Sequence, residues 1–119
     1  MVEDSDLLRV VLDLLSGIGE LRCRRMFGGT YIYCDDLFIA TLHDDTLYFK
    51  ANAATAPEFV KRGLPPFSYL KQGAVATLHY YQAPPEVFRT RAAMHRWATK
   101  ALAAARQDAS SKKKRGGTR

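Results

Sequence analysis

Residues 22–36 read RCRRMFGGTYIYCDD and gather the side chains with most chemical scope in the chain. Arg22, Arg24 and Arg25 offer cations to phosphate, and Tyr31 and Tyr33 offer rings on which bases stack. Cys23 and Cys34 offer thiols, and Gly28-Gly29 offers backbone N–H groups to an anion. Further along stand His43, His79 and His95, Ser68, the pairs Asp35-Asp36 and Asp44-Asp45, and a basic run of Lys112, Lys113, Lys114 and Arg115.

Each candidate must meet a geometric requirement. A phosphate cradle joins a strand to a helix and carries more glycines or a lysine, whereas Gly28-Gly29 lies between two strand-like runs. The pair therefore predicts a hairpin turn, with Phe27 facing Thr30, Met26 facing Tyr31, Arg24 facing Tyr33 and Cys23 facing Cys34. In that register the cysteines form a hydrogen-bonded pair, about 5.5 Å apart at Cα, which aims the thiols poorly for a disulfide. Two reduced, partly buried, inert thiols are expected. Neither cysteine has a C-x-x-C partner and no two histidines fall at i, i+4, so no metal site is predicted. The aspartate pairs read as turn formers, and Ser68 lacks the context of a nucleophile. No catalytic residue and no cofactor is assigned.

The arginines leave two readings. Alternation puts Arg22 and Arg24 on one strand face and Arg25 on the other. They line the solvated face of an edge strand, or they meet nucleic acid together with Tyr31 and Tyr33.

These residues need a scaffold, and the periodicities supply one. Leu7, Leu8, Val11, Leu14 and Leu15 recur at helical spacing over 5–16, and Gly17 ends the pattern. Four β-prone runs follow at 20–27, 30–34, 37–43 and 46–50. Thr55-Ala-Pro-Glu58 reads as a capping box opening a short helix that stops at Gly63. A second hairpin is predicted at 67–71 and 74–82, turning at Gln72-Gly73 and closed by Pro84-Pro85. A turn near 86–89 then leads into a rod from Arg91 to Arg106, striped by Met94, Trp97, Ala98, Ala101, Leu102 and Ala105. The expected fold is α+β: an antiparallel sheet of about six strands, a four-stranded meander plus a hairpin, with the first and last helices on one face. Phe38, Ala40, Leu42, Leu47 and Phe49 are expected on one sheet face, and Ile32, Leu37, Ile39 and Tyr48 on the other.

The 119 residues suffice for one domain, 1–106, followed by a flexible basic tail, 107–119. Of the net charge of +6, residues 106–119 carry +5 and the remainder +1, so any phosphate affinity inferred from charge belongs to the tail. No apolar run approaches the roughly 18–20 residues that span a bilayer. The acidic start is no signal peptide, and two cysteines suit a reducing compartment, so a cytoplasmic protein without membrane contact is expected.

RRMFGGTYIYCDDLFIATLHDDTLYFKAN, then PFSYL, ATLHYYQAPPEVF and MHRWATKALAAA, resemble the N-terminal domain of the TfoX/Sxy family of competence regulators. Met26-Phe27-Gly28-Gly29 is the most specific element, and the resemblance covers roughly residues 5–106. It implies an α+β domain without a catalytic site, acting in DNA uptake and transcription beside a cyclic-AMP receptor-type regulator. Longer members carry a second domain resembling helix–hairpin–helix modules, where this sequence ends in its lysine-rich tail. The resulting expectation is a non-enzymatic regulator or adaptor working through protein contacts, with a homodimer formed through the sheet or its edge. The alternative is a small nucleic-acid-binding module using Arg22, Arg24 and the basic tail, which by itself gives weak, non-specific DNA binding.

Overall fold

A computed structural model describes residues 3–26, 29–71 and 74–117, with side chains described at 6–25, 29–67 and 80–109. The chain runs α1 (Glu3–Leu15), β1 (Leu21–Met26), β2 (Gly29–Cys34), β3 (Leu37–His43), β4 (Thr46–Lys50), α2 (Ala56–Lys61), β5 (Pro66–Lys71), β6 (Ala74–Gln82), a 3-10 turn (Pro85–Phe88) and α3 (Arg91–Gly117). The strands form one antiparallel six-stranded sheet in the order β1-β2-β3-β4-β6-β5. This is the expected α+β architecture.

Both aspartate pairs are turns of the type that matches strand twist. Asp35, Asp36, Asp44 and Asp45 all have positive φ, between 50° and 67°, and link consecutive strands by two residues. Asp35 also ties the turn to the chain entering β1: its carboxylate accepts from the Glu20 N–H at 2.9 Å, and its own N–H donates to the Glu20 carbonyl at 2.8 Å.

The first hairpin departs from the expected register by two residues. Met26 pairs with Gly29, Arg24 with Tyr31, Cys23 with Ile32 and Leu21 with Cys34. Gly29 is thus a strand residue rather than half of the loop, and Phe27 and Gly28 lie outside the described residues. The reason Gly29 is glycine is close approach. A Cβ there would stand 2.9 Å from the Leu42 carbonyl oxygen and 3.1 Å from the His43 ring. The shift by two keeps every side chain on its expected face but separates the cysteines.

A second departure changes faces. The β2–β3 register slips between Ile32 and Tyr33: Ile32 pairs with Ala40, yet Tyr33 pairs with Phe38, leaving Ile39 as an extra residue in β3. Ile32, Cys34, Ala40, Leu42, Leu47 and Phe49 consequently share the helix-covered core, while Phe38 turns outward against Tyr31 and Tyr33. The expected placement of Phe38 beside Ala40, and of Ile32, Leu37 and Ile39 opposite them, is corrected by this bulge, with Ile39 fully buried in the core cluster.

The helices cover the core face. Every residue of the expected α3 stripe is buried, as are Val11 and Leu15 of α1 and Phe59 of α2. Trp97 meets Phe59 at 5.1 Å between ring centroids, and Phe59 stacks on Tyr81 at 5.3 Å, joining both helices to β6. Burying rings of this size accounts for much of the apolar stabilisation. The carbonyl end of α1 is held from α3: Arg91 donates to the Asp13 carbonyl and to Ser16 Oγ, and the His95 ring lies 2.9 Å from the Ser16 carbonyl oxygen.

Two local expectations fail for traceable reasons. The capping box at Thr55 does not form, because Thr55 Oγ1 accepts from Asn52 N–H at 3.0 Å and Glu58 reaches Lys100 at 3.0 Å. Asn52 Oδ1 instead accepts from the N–H groups of Ala54 and Thr55. Helix α3 also continues past Arg106 to Gly117, and its extension is tied to the body by Gln107 to Asn52 (2.8 Å) and Asp108 to Lys50 (2.9 Å).

Beneath the 3-10 turn, Glu86 binds Arg62 through both carboxylate oxygens, accepts from Trp97 Nε1 at 3.2 Å and stands 3.5 Å from Arg96. The Arg62 hydrogen bonds, then that of Trp97, hold its carboxyl down to about 2. A lowered folded-state value stabilises the protein above the ordinary carboxylate range, and that stabilisation is lost as pH falls through the window from 4.5 to about 2. Thermal melts should therefore show Glu86→Gln less stable than wild type at pH 7, with the gap closing across that window. A gap that does not change with pH would contradict the assignment. For Gly29→Ala, crowding the Leu42 carbonyl should lower unfolding stability in denaturant by about 1–3 kcal/mol. An unchanged midpoint would mean that β3 yields freely.

Candidate functional site

No helix among the described residues covers the second face of the sheet. The strand alternation sends Arg22 and Arg24 of β1, Tyr31 and Tyr33 of β2, Thr41 and His43 of β3, Tyr48 and Lys50 of β4 and Tyr80 of β6 to that side, and the bulge adds Phe38. The rings form two groups. In the first, Tyr31 stacks on Phe38 at 4.7 Å with planes 8° apart, Phe38 meets Tyr80 at 4.9 Å, and Tyr33 meets Phe38 at 5.4 Å. In the second, Phe67 receives His43 and Tyr48 edge-on at 5.4 and 5.1 Å. These rings shield the sheet without a helix: Thr41, between the groups, is 6% exposed, and its hydroxyl donates to the Thr30 carbonyl at 3.3 Å.

At one end of the first group a groove of about 410 Å³ opens between the sheet and α3. Tyr33, Phe38, Tyr80, Lys50, Asp36 and Asp108 are among its walls. Lys50 closes one side, bridged to Asp108 and lying 5.4 Å from the centre of the Tyr80 ring. Arg22 reaches the rim by its 3.0 Å bridge to Asp36. The Tyr80 phenol is pushed well up by burial, with the Tyr33 and Tyr31 phenols and Asp108 adding to it, and so stays protonated as a hydrogen-bond donor.

The sequence candidates fall into place unevenly. Arg22 and Arg24 share a face with Tyr31 and Tyr33 as expected, but opposite Tyr33 and Tyr31 respectively. Of the family motif, Met26 and Gly29 are a backbone pair closing the hairpin, and Phe27 and Gly28 lie outside the description. Lys112, Lys113, Lys114 and Arg115 lie on helical backbone, with side chains outside the description. The side chain of His79 is also outside it, whereas His95 bridges two helices and His43 sits 3.5 Å from Asp44. Sequence reasoning missed Phe38, Lys50, Asp36 and Tyr80 as neighbours. Only the bulge brings Phe38 to this face, and a bulge leaves no mark in simple alternation.

Among the described residues no group of three His, Cys, Asp or Glu side chains could hold a metal ion, and no helix is long and apolar enough to cross a membrane. The cysteines are free, Cys34 buried and Cys23 exposed. Burial raises the Cys34 thiol, Asp35 raises it further, and Arg106 partly offsets both.

Fold and site together define an α+β domain built on a half-covered antiparallel sheet, with its charged groups concentrated at helix contacts and at the rim of the open face. The chain belongs to the family described as the TfoX N-terminal domain, whose sequence model matches residues 13–105. It is 28% identical over 103 residues to Protein Sxy of Escherichia coli K12, covering 87% of this chain and 49% of that protein. It is 25% identical over 92 residues to DNA transformation protein TfoX1 of Aliivibrio fischeri, covering 77% and 44% respectively. The chain thus spans about half the length of the curated relatives it matches.

The two thiols should separate in a labelling experiment. With a chromogenic disulfide reagent, Cys23 should react in the native protein and Cys34 only on unfolding. Equal native rates would contradict the burial of Cys34.

Proposed function

We propose that the chain is a non-enzymatic regulator of the competence type, working in the cytoplasm through protein contacts. The observation that carries this reading is family membership over nearly the whole folded domain, with a relative named for DNA transformation. The roles of the ionised groups support it. Glu86 secures Arg62 and Trp97, Asp35 secures the chain before β1, Asp13 receives Arg91, and Glu58 and Asp108 receive lysines. Such pairs hold a shape rather than poise an acid and a base for proton transfer. A partner in the transcription machinery, or a cyclic-AMP receptor-type regulator, is the class this reading implies.

Capture from cell lysate on the tagged chain, with and without nuclease, separates the reading from its rival. A defined protein should be retained after nuclease at an unchanged level, and its loss on nuclease treatment would favour a nucleic-acid bridge. In parallel, a competence-gene reporter should respond at least severalfold to expression of the chain. No response, together with no retained protein, would overturn the proposal.

A further inference from the structure

We propose that the open sheet face is a stacking platform for single-stranded DNA, with the sugar-phosphate backbone along Arg22 and Arg24 and bases on the Tyr31 and Tyr33 rings. The choice of DNA over RNA rests on the regulatory reading above, whereas the single-stranded geometry rests on the face itself.

Three observations support this occupant. First, the rings form a continuous cluster, with Phe38 joined to both Tyr31 and Tyr80 at centroid spacings of 4.7 and 4.9 Å, and Tyr31 and Tyr33 are only half-buried in it. Bases exposed by strand separation stack on such surfaces with little regard to sequence, because every base has a π-face. Second, the cations lie at one side of the rings. Arg24 stands opposite Tyr31, and Arg22 stands opposite Tyr33. The Arg22–Asp36 bridge joins side chains that are 64% and 78% exposed, so its disruption costs little and frees the guanidinium for phosphate. Third, the groove beside Phe38 and Tyr80, about 410 Å³, is large enough to take a nucleobase and its sugar. Asp36 and Asp108 in its walls repel phosphate but accept hydrogen bonds from base N–H groups, the ring N–H of thymine included, which turns the base inward and the backbone toward the arginines.

A second copy of the chain is the competing occupant. Permanent homodimer interfaces resemble a protein core cut in half and are correspondingly hydrophobic. The described strand residues on this face are Tyr, Phe, Thr, His, Gln, Lys and Arg, with no Leu, Ile or Val among them. Rings with polar tips and flanking cations suit a wet polyanion better than a dry seam. The basic run at Lys112–Arg115 would add phosphate affinity without base contact, and so raises binding to single and double strands alike.

The test uses the full chain and fluorescence polarisation with a labelled oligothymidine and a duplex of equal length, at two salt concentrations. The single strand should bind more tightly than the duplex. Tyr31→Leu/Tyr33→Leu should weaken single-strand binding by roughly tenfold or more while moving duplex binding less than about twofold. Arg22→Glu/Arg24→Glu changes two exposed residues only and should weaken single-strand binding at least about tenfold. This charge variant decides the matter should the ring variant fail to fold, as read from Trp97 emission. Unchanged single-strand affinity in the arginine variant, or parallel losses on both DNA forms in a folded ring variant, would overturn the proposal. Tighter binding to single-stranded RNA of the same sequence overturns the choice of DNA. A dimer by sedimentation that the ring variant dissociates assigns the face to a second copy and overturns it as well. Because only purified chain and nucleic acid are used, failure here leaves the protein-contact reading standing, and a failed lysate capture leaves the single-strand platform standing, with DNA against RNA decided by the binding comparison.

Discussion

Between the Ile32–Ala40 and Tyr33–Phe38 pairs, β3 holds one residue more than β2, and the two faces of the sheet take their character from that slip. Had alternation continued unbroken, Phe38 would point under the helices and Ile39 would point away from them. The bulge keeps Cys34 and Leu37 on the helix side while releasing Phe38 to Tyr31, Tyr33 and Tyr80. One face thereby becomes a close-packed core of aliphatic residues with Phe49, Phe59 and Trp97. The other becomes a layer of rings that shields its own backbone.

That division sets what the helices must do. With one face to cover, α1, α2 and α3 need fixed positions, and polar contacts at the end of α1 and along α3 supply them. Arg91 and His95 hold the end of α1, Glu86 joins α2 to α3 through Arg62 and Trp97, and Asp108, within the second half of α3, fastens it to Lys50. The last contact also forms one wall of the groove. Positioning the helix and shaping the candidate site are thus the same interaction. The helix accordingly stays in contact with the body beyond Arg106, where Gln107 meets Asn52 and Asp108 meets Lys50.

Much of this architecture is legible in the sequence. The helical stripe of α3, the strand runs, both Asp-Asp turns and the closing Pro84-Pro85 follow from periodicity and turn chemistry, and the quoted motifs mark the family. What escaped were features set by contacts between elements. Gly29 looks like half of a turn, but its small size answers to the Leu42 carbonyl across β3. Thr55 and Glu58 have capping-box spacing, yet Asn52 and Lys100 compete for them successfully. The helical reading stops at Arg106 because apolar anchors stop there, whereas Lys50 and Asn52, distant in sequence, supply polar ones. The bulge was invisible for the same reason: it depends on how β2 and β3 meet, not on either strand alone.

The placement of Phe38 is the point on which the two-faced account turns, and nuclear Overhauser contacts of its ring protons test it directly. The account predicts contacts from the Phe38 ring to Tyr31, Tyr33 and Tyr80, and none to Met94, Trp97 or the Leu102 methyls. Contacts to those α3 residues would place Phe38 under the helices and contradict both the bulge and the open aromatic face.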